Sequence, residues 1–471
     1  MFLLIMALFT STSNTAHSMN PFFTDYETPF QIPPFEEIKM EHYKPGFEQG
    51  MKENLDEIND ITANTEAATF ENTIVALERT GETLDKVADV FFNLLSSNTN
   101  DQMDSLVQEM SPKLSAHRDS ILLNKDLFHR VKSVYEKRKS LSLNPEQTRL
   151  IEETHKYFVR AGVQLDENSM ERLTEINQKL SSLSVQFEQN LLKETNEGFI
   201  LVIDDKDQLH GLPKDVVDQA SALAESEDHS GKWLFKPTRA SMYPFLTYST
   251  ERDLREELYN SYIKRGDNNN ERDNKNIAIE MSALRIERAK LLGYKTHADF
   301  VLEDNMAKNT KRVNDLLDKV WEPALSRAKQ EVQEMQELID TEGGNFKFAA
   351  WDWWHYSEKI RQNKYDFTEA EVKPYFSERK VLEGAFDVAN KLFQISFTER
   401  FDLPKYRENI RSFEVKNNNG DTIGIFYTDY TIRPNKGGGA WMNTFRSQSK
   451  FDGIKIPIVI NVCNFPPQNK D

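Results

Sequence analysis

The amino-acid sequence predicts a mostly α-helical protein, large and built of many helices, with a small β-sheet near its C-terminus. Three observations carry this. In long stretches from Gly46 to Asp340, apolar residues recur at steps of three and four among polar ones, the period of helices with one buried stripe. From Thr422 to Val462 the pattern changes to β-branched and aromatic runs bounded by glycine, asparagine and proline, which are strand and turn signals. At 471 residues the chain is also too long for one compact core, so two or more substructures are expected.

Composition narrows the function classes. With 38% hydrophobic and 29% charged residues, the chain is that of a polar globular protein. A net charge of −17 argues against a nucleic-acid partner, which needs a basic face to displace counterions. The one cysteine, Cys463, excludes an internal disulfide and any multi-cysteine zinc site. It stands in an apolar run and reads as a buried, inert thiol.

Taken in order, the chain opens with the apolar run Phe2 to Phe9, followed by small polar residues to Ser18. That is short for a membrane span and suits a signal-peptide core, although a basic n-region is absent. Residues 1–18 are therefore a candidate leader, with export to the periplasm favoured over a cytoplasmic protein whose sequence opens at Met19, and no membrane span is expected elsewhere. Prolines at 21, 29, 33, 34 and 45 predict an extended arm over residues 20–45 that lays its aromatics on a surface. Helices follow from Gly46 to Thr195. In one of them Met170, Leu173, Ile176, Leu180, Leu183, Phe187 and Leu191 form a single stripe. Thr69 is placed as an N-cap, with Asn72 where a capping box wants Glu or Gln.

Asn196 to Gly198 breaks the helices, and Phe199 to Ile203 reads as a short strand. The acidic, polar stretch Glu225 to Gly231 is the candidate linker, which divides the chain into 19–228 and 229–471. Helices are expected over Arg252 to Tyr259 and Ile277 to Leu292, the second ending at Gly293 in a left-handed C′ position. Asn309 to Asp340 is the longest periodic segment. Pro323 within it is expected to kink or split it. Trp351 to Glu358, with four aromatics and a histidine, reads as core or groove wall.

The last strands, Thr422 to Tyr430, Ala440 to Phe445 and Ile456 to Val462, flank the glycines 437–439. Gly438, Gly439, Ala440 and Trp441 are the candidate binding residues. The three glycines 437–439, which carry no Cβ and lead directly into Ala440 and Trp441, let a second backbone approach, and a sheet edge can take an extended peptide by strand addition. An ordinary hairpin turn explains the same residues. No catalytic motif accompanies them. The nine histidines have no partner three to five residues away, and there is no G-x-S-x-G elbow, P-loop or G-x-G-x-x-G.

Several words of the sequence carry a resemblance. Gly438-Gly-Ala-Trp-Met442, with Tyr427-Thr-Asp-Tyr430 before it and Asn461-Val-Cys-Asn-Phe465 after it, resembles the thimet-oligopeptidase-like zinc metallopeptidases, and among them the bacterial dipeptidyl carboxypeptidases. Thr69-Phe-Glu-Asn-Thr73, Leu291 to Phe300 and Trp351-Asp-Trp-Trp-His-Tyr356 resemble further family words in the family's order. The resemblance implies two helical halves flanking a deep channel, zinc as cofactor in the complete member, short peptides as substrates, release of C-terminal dipeptides, and a monomer. The family's H-E-x-x-H, its glutamate third ligand and its later tyrosine and histidine would fall beyond Asp471. The chain is thus read as a member truncated before that motif, its second half incomplete, with no catalytic residue, no metal ligand and no zinc of its own. The reading from another class is a non-catalytic peptide-binding or scaffold protein. On the first reading Ile425, Tyr427, Trp441, Ile458 and Ile460 lose part of their cover, while residues 20–225 bury their own stripes.

Overall fold

The computed structural model describes residues 20–365 and 368–466. The expected leader lies outside the described residues. Helices Met40–Ala63, Glu82–Ser97, Asp101–Leu122, Lys125–Lys137, Pro145–Ala161 and Glu167–Lys193 build the first part of the chain. Most are started by asparagine or aspartate side chains that accept from orphan amides of the first turn, as Asn100, Asn124, Asn144 and Asp166 do. At Thr69 the expected cap forms a full capping box: the Thr69 hydroxyl accepts from Asn72 N, and the Asn72 amide oxygen accepts from Thr69 N at 2.8 Å. Asparagine therefore does what Glu or Gln does in the common box. The 170–191 stripe is buried from Met170 to Leu183 and half-buried beyond it.

The extended arm is shorter than expected. Short 3-10 turns occupy Pro21–Phe23 and Pro29–Gln31, and the first long helix begins at Met40 with Pro45 inside it. Pro323 likewise sits within the continuous helix Thr310–Thr341, so the expected split does not occur. Both prolines are exposed. The carbonyl that each deprives of a donor can turn to water, which replaces the lost hydrogen bond.

Two strands, β1 (Leu201–Ile203) and β2 (Trp233–Phe235), pair antiparallel on either side of the candidate linker. Their residues Leu201, Ile203 and Phe235 join one core with Ala220, Phe245 and Leu258, so apolar packing is continuous across residue 228. Helix Lys275–Leu291 ends as expected, with Gly293 at φ 84° and Tyr294 N bonded back to Ala289 O.

The C-terminal sheet has five strands, β3 (Ser396–Arg400), β4 (Arg411–Lys416), β5 (Thr422–Thr431), β6 (Trp441–Arg446) and β7 (Ile458–Phe465), in the order β3-β4-β5-β7-β6. All neighbours are antiparallel except β5 and β7. Because side chains alternate between faces, Ile425, Tyr427, Ile458, Ile460, Val462 and Phe445 share the inner face. They are buried against Phe22, Ile32 and Phe35 of the arm, Phe47, Val90 and Phe91, and Met103 to Met110 of helix Asp101–Leu122. On the outer face Phe386 of helix Glu378–Phe393 stacks on Phe397 at 4.0 Å.

This corrects one expectation. Ile425, Tyr427, Ile458 and Ile460 are no more than 1% exposed, and Trp441 is half-buried against the same core. The cover comes from the start of the chain: Phe22 to Met110 share a core with the sheet, while Ile58 to Val163 close a core of their own. The exposed apolar surface stands elsewhere. Leu316, Leu317, Val320 and Trp321 on helix Thr310–Thr341, and Val388, Leu392 and Phe393 on helix Glu378–Phe393, face solvent. Among the described residues no helix is long and apolar enough to cross a membrane.

Candidate functional site: the glycine-rich sheet border

β6 closes the sheet on one side, with β7 as its only strand neighbour among the described residues. The chain reaches it from β5 through Ile432 to Gly439, and sequence and geometry agree on why this turn is glycine-rich. Gly439 has φ 96°, a left-handed conformation that side chains other than glycine adopt at a cost. A Cβ on Gly437 would stand 3.2 Å from Ser96 O. At Gly438 nothing lies within 4 Å of where a Cβ would point. Gly438, Gly439 and Ala440 are exposed, and Trp441 follows with its ring turned to the inner core. The four candidate residues thus lie together at an open strand border.

Beneath the glycines lies a charged group that sequence reasoning did not anticipate. The Lys436 side chain is fully buried. Its Nζ lies 2.9 Å from Asp429 Oδ1 and donates to the carbonyls of Asp429 (2.8 Å), Thr431 (3.1 Å) and Cys463 (2.6 Å). Asp429, itself without exposure, also accepts from Tyr406 Oη at 2.5 Å and from both terminal nitrogens of Arg433. Burial works to raise the Asp429 carboxyl, but the donors Arg433, Tyr406 and Lys436 outweigh it and hold the group below its usual range. Burial pushes the Tyr406 hydroxyl and the Cys463 thiol up, so both stay protonated at neutral pH.

The same turn is tied to the C-terminal end of helix Glu82–Ser97. Gly437 N donates to Ser96 O at 2.8 Å, Arg433 donates to Ser97 O, and Asn435 exchanges backbone and side-chain bonds with Thr99. The last carbonyls of a helix lack partners within it and carry its negative dipole end, so a guanidinium there is favoured twice. From one turn earlier Asn93 donates to Thr444 O of β6 at 2.8 Å. A sequence signal for this network existed: Asp429, Arg433 and Lys436 interrupt an otherwise apolar strand region at spacings of four and three.

Other singled-out residues are structural. Asp352 of the tryptophan cluster is buried and accepts from Arg252 Nη2 at 2.9 Å and Arg255 Nη2 at 3.0 Å. His355 meets Thr247 O at 3.2 Å, and burial pushes its pKa down to about 4. His42 accepts from Lys39 N, His117 pairs with Asn54 and His155 stacks on Tyr135. Among the described residues no three His, Cys, Asp or Glu side chains are placed to share a metal ion. The described residues therefore do not fit a zinc centre.

Comparison with known proteins places these features in a context. The model of peptidase family M3 matches residues 245–471. Dipeptidyl carboxypeptidase of Escherichia coli is 36% identical over 449 residues, which are 95% of this chain and 66% of that protein. Oligopeptidase A of Haemophilus influenzae is 32% identical over 440 residues, 92% of this chain and 64% of that protein. The chain spans just under two thirds of the length of these curated relatives.

Proposed function

The chain belongs to peptidase family M3, and from that premise we propose that it forms the peptide-binding wall of a zinc-dependent peptidase that takes short oligopeptides and releases C-terminal dipeptides. The observation that carries the reading is the open border of β6 behind Gly438, Gly439 and Ala440. An extended peptide adds to such a border as a further strand, with main-chain bonds for affinity and alternate side chains for selectivity. Glycines leave its backbone room to approach, and Trp441 anchors the border to the core. In this reading residues 229–471 belong to the peptidase part and residues 19–228 brace it. Zinc in such a peptidase supplies an activated water. The described residues hold no set of ligands for it, so the role assigned to this chain is to bind and orient the peptide. Confinement of the peptide in a channel would restrict substrates to short, unfolded chains.

Calorimetric titration of the 471-residue chain with acetyl-tetra-alanine, beside Gly438→Val, tests this. Binding by the wild type that the valine removes is the expected result. Equal binding by both, or none by the wild type, overturns the reading.

A further inference from the structure

The word Asn461-Val-Cys-Asn464 lies in the second half of β7, and the function proposed above makes no use of it. Its two asparagine amides both reach across to the glycine-rich border. Asn464 Nδ2 donates to Gly437 O at 2.9 Å and to Gly439 O at 2.8 Å. Asn461 Nδ2 donates to Trp441 O at 3.1 Å. Three carbonyls at alternate positions, 437, 439 and 441, are thereby held by two side chains.

The register explains why side chains are needed there. Trp441 lies opposite Val462 in the antiparallel pair. Continued outward by two residues on each strand, that register brings 464 to 439. Main-chain pairing stops short of this point, because β6 begins at Trp441 and Gly439 has already turned into the left-handed region. Three consecutive glycines are also the backbone with the most conformational freedom to lose. Lys436 fixes the near end of this run through the carbonyls of Asp429, Thr431 and Cys463. The Asn464 amide, with both of its hydrogens engaged, fixes the middle.

We propose that Asn464, assisted by Asn461, is a positioning residue that holds Gly437 to Trp441 in the shape that receives a peptide. The inference rests on the peptide-binding reading of this border. The amide is suited to the task by its inventory of donors: two N–H groups for two carbonyls. Serine keeps one donor, alanine none, and aspartate presents acceptors to acceptors.

The test is the series Asn464→Ser, Asn464→Ala and Asn464→Asp in the 471-residue chain, titrated with acetyl-tetra-alanine, with thermal unfolding and amide hydrogen exchange over 437–441 recorded on the same samples. The expected affinity order is wild type, Ser, Ala, Asp, with about a tenfold loss at alanine. Faster exchange confined to 437–441 is expected in step with it, and the peptide titrations are made below the unfolding transition of each variant. A purely structural role would lower the unfolding midpoint and leave affinity below it unchanged, which overturns the proposal. Wild-type affinity in all three variants overturns it as well and leaves the peptide-binding reading standing. A wild-type chain that binds no peptide removes that reading, and the inference with it.

Discussion

Lys436 Nζ lies 2.9 Å from Asp429 Oδ1, and neither side chain is reached by solvent. With Arg433 the group holds two cations and one carboxylate beneath an exposed glycine turn. Such a group specifies geometry rather than supplying stability, since buried pairs lose in desolvation much of what they gain in attraction. Removing one partner is another matter.

Asp429→Asn leaves Lys436 and Arg433 without their anion and is expected to cost about 3–5 kcal/mol in chemical denaturation. The pH dependence has a definite sign. The folded carboxyl titrates below its ordinary 3.8, so its contribution is complete above that value and is lost as pH falls through the folded one. The variant should therefore show a shallower acid limb than the wild type. Equal slopes below pH 4 would mean that the carboxylate carries no such linkage.

His355 gives the opposite kind of test. Burial first, then the cations Arg255 and Lys359, push its pKa to about 4, while the Thr247 carbonyl and Glu342 act the other way. The unfolded chain, at the ordinary 6.5, takes up the proton first. Stability is thus lost as pH falls from 6.5 toward 4, by at most about 3–4 kcal/mol. His355→Gln should flatten stability over that window when urea midpoints are followed against pH, and an unchanged slope would assign it to other groups.

Leu316, Leu317, Val320 and Trp321 form a contiguous apolar row in solvent on helix Thr310–Thr341. Rows of this kind are association surfaces. Leu317→Glu with Val320→Lys should raise the monomer fraction of the 471-residue chain in light scattering at a given concentration. The same mass distribution for variant and wild type would show that this face does not drive association.

Much of the fold was legible, and the failures have physical reasons. β5, β6 and β7 were visible because their residues are β-branched and aromatic and their turns carry glycine. β3 and β4 were not, since Ser-Phe-Thr-Glu-Arg and Arg-Ser-Phe-Glu-Val-Lys place charges along both strands. These charges pair across the strands, Arg411 with Glu399 at 2.7 Å and Arg400 with Glu414 at 2.7 Å, a compensation visible only once the register is known. Pro45 and Pro323 lie within continuous helices because the turns on either side of each keep their own hydrogen bonds and water meets the one carbonyl left without a donor. At the site, the glycines and Trp441 announced themselves by composition. Lys436 and Asp429 did not, because a charged residue is by default a solvated one and their partners Tyr406 and Cys463 are distant in sequence. The cover of the sheet by Phe22, Phe35 and Phe47 was hidden for the same reason.

In the proposed function an extended peptide adds to the border of β6 ahead of Thr444, whose own carbonyl and N–H are engaged by Asn93 and Asn443. Amide hydrogen exchange of the 471-residue chain, with and without saturating acetyl-tetra-alanine, tests it most directly. Strand addition engages backbone donors of the border itself, so the peptide should slow exchange within residues 438–446 and leave the helices Lys125–Lys137 and Pro145–Ala161 unchanged. Unchanged exchange at 438–446 under saturating peptide, or slowing confined to another part of the chain, would contradict it.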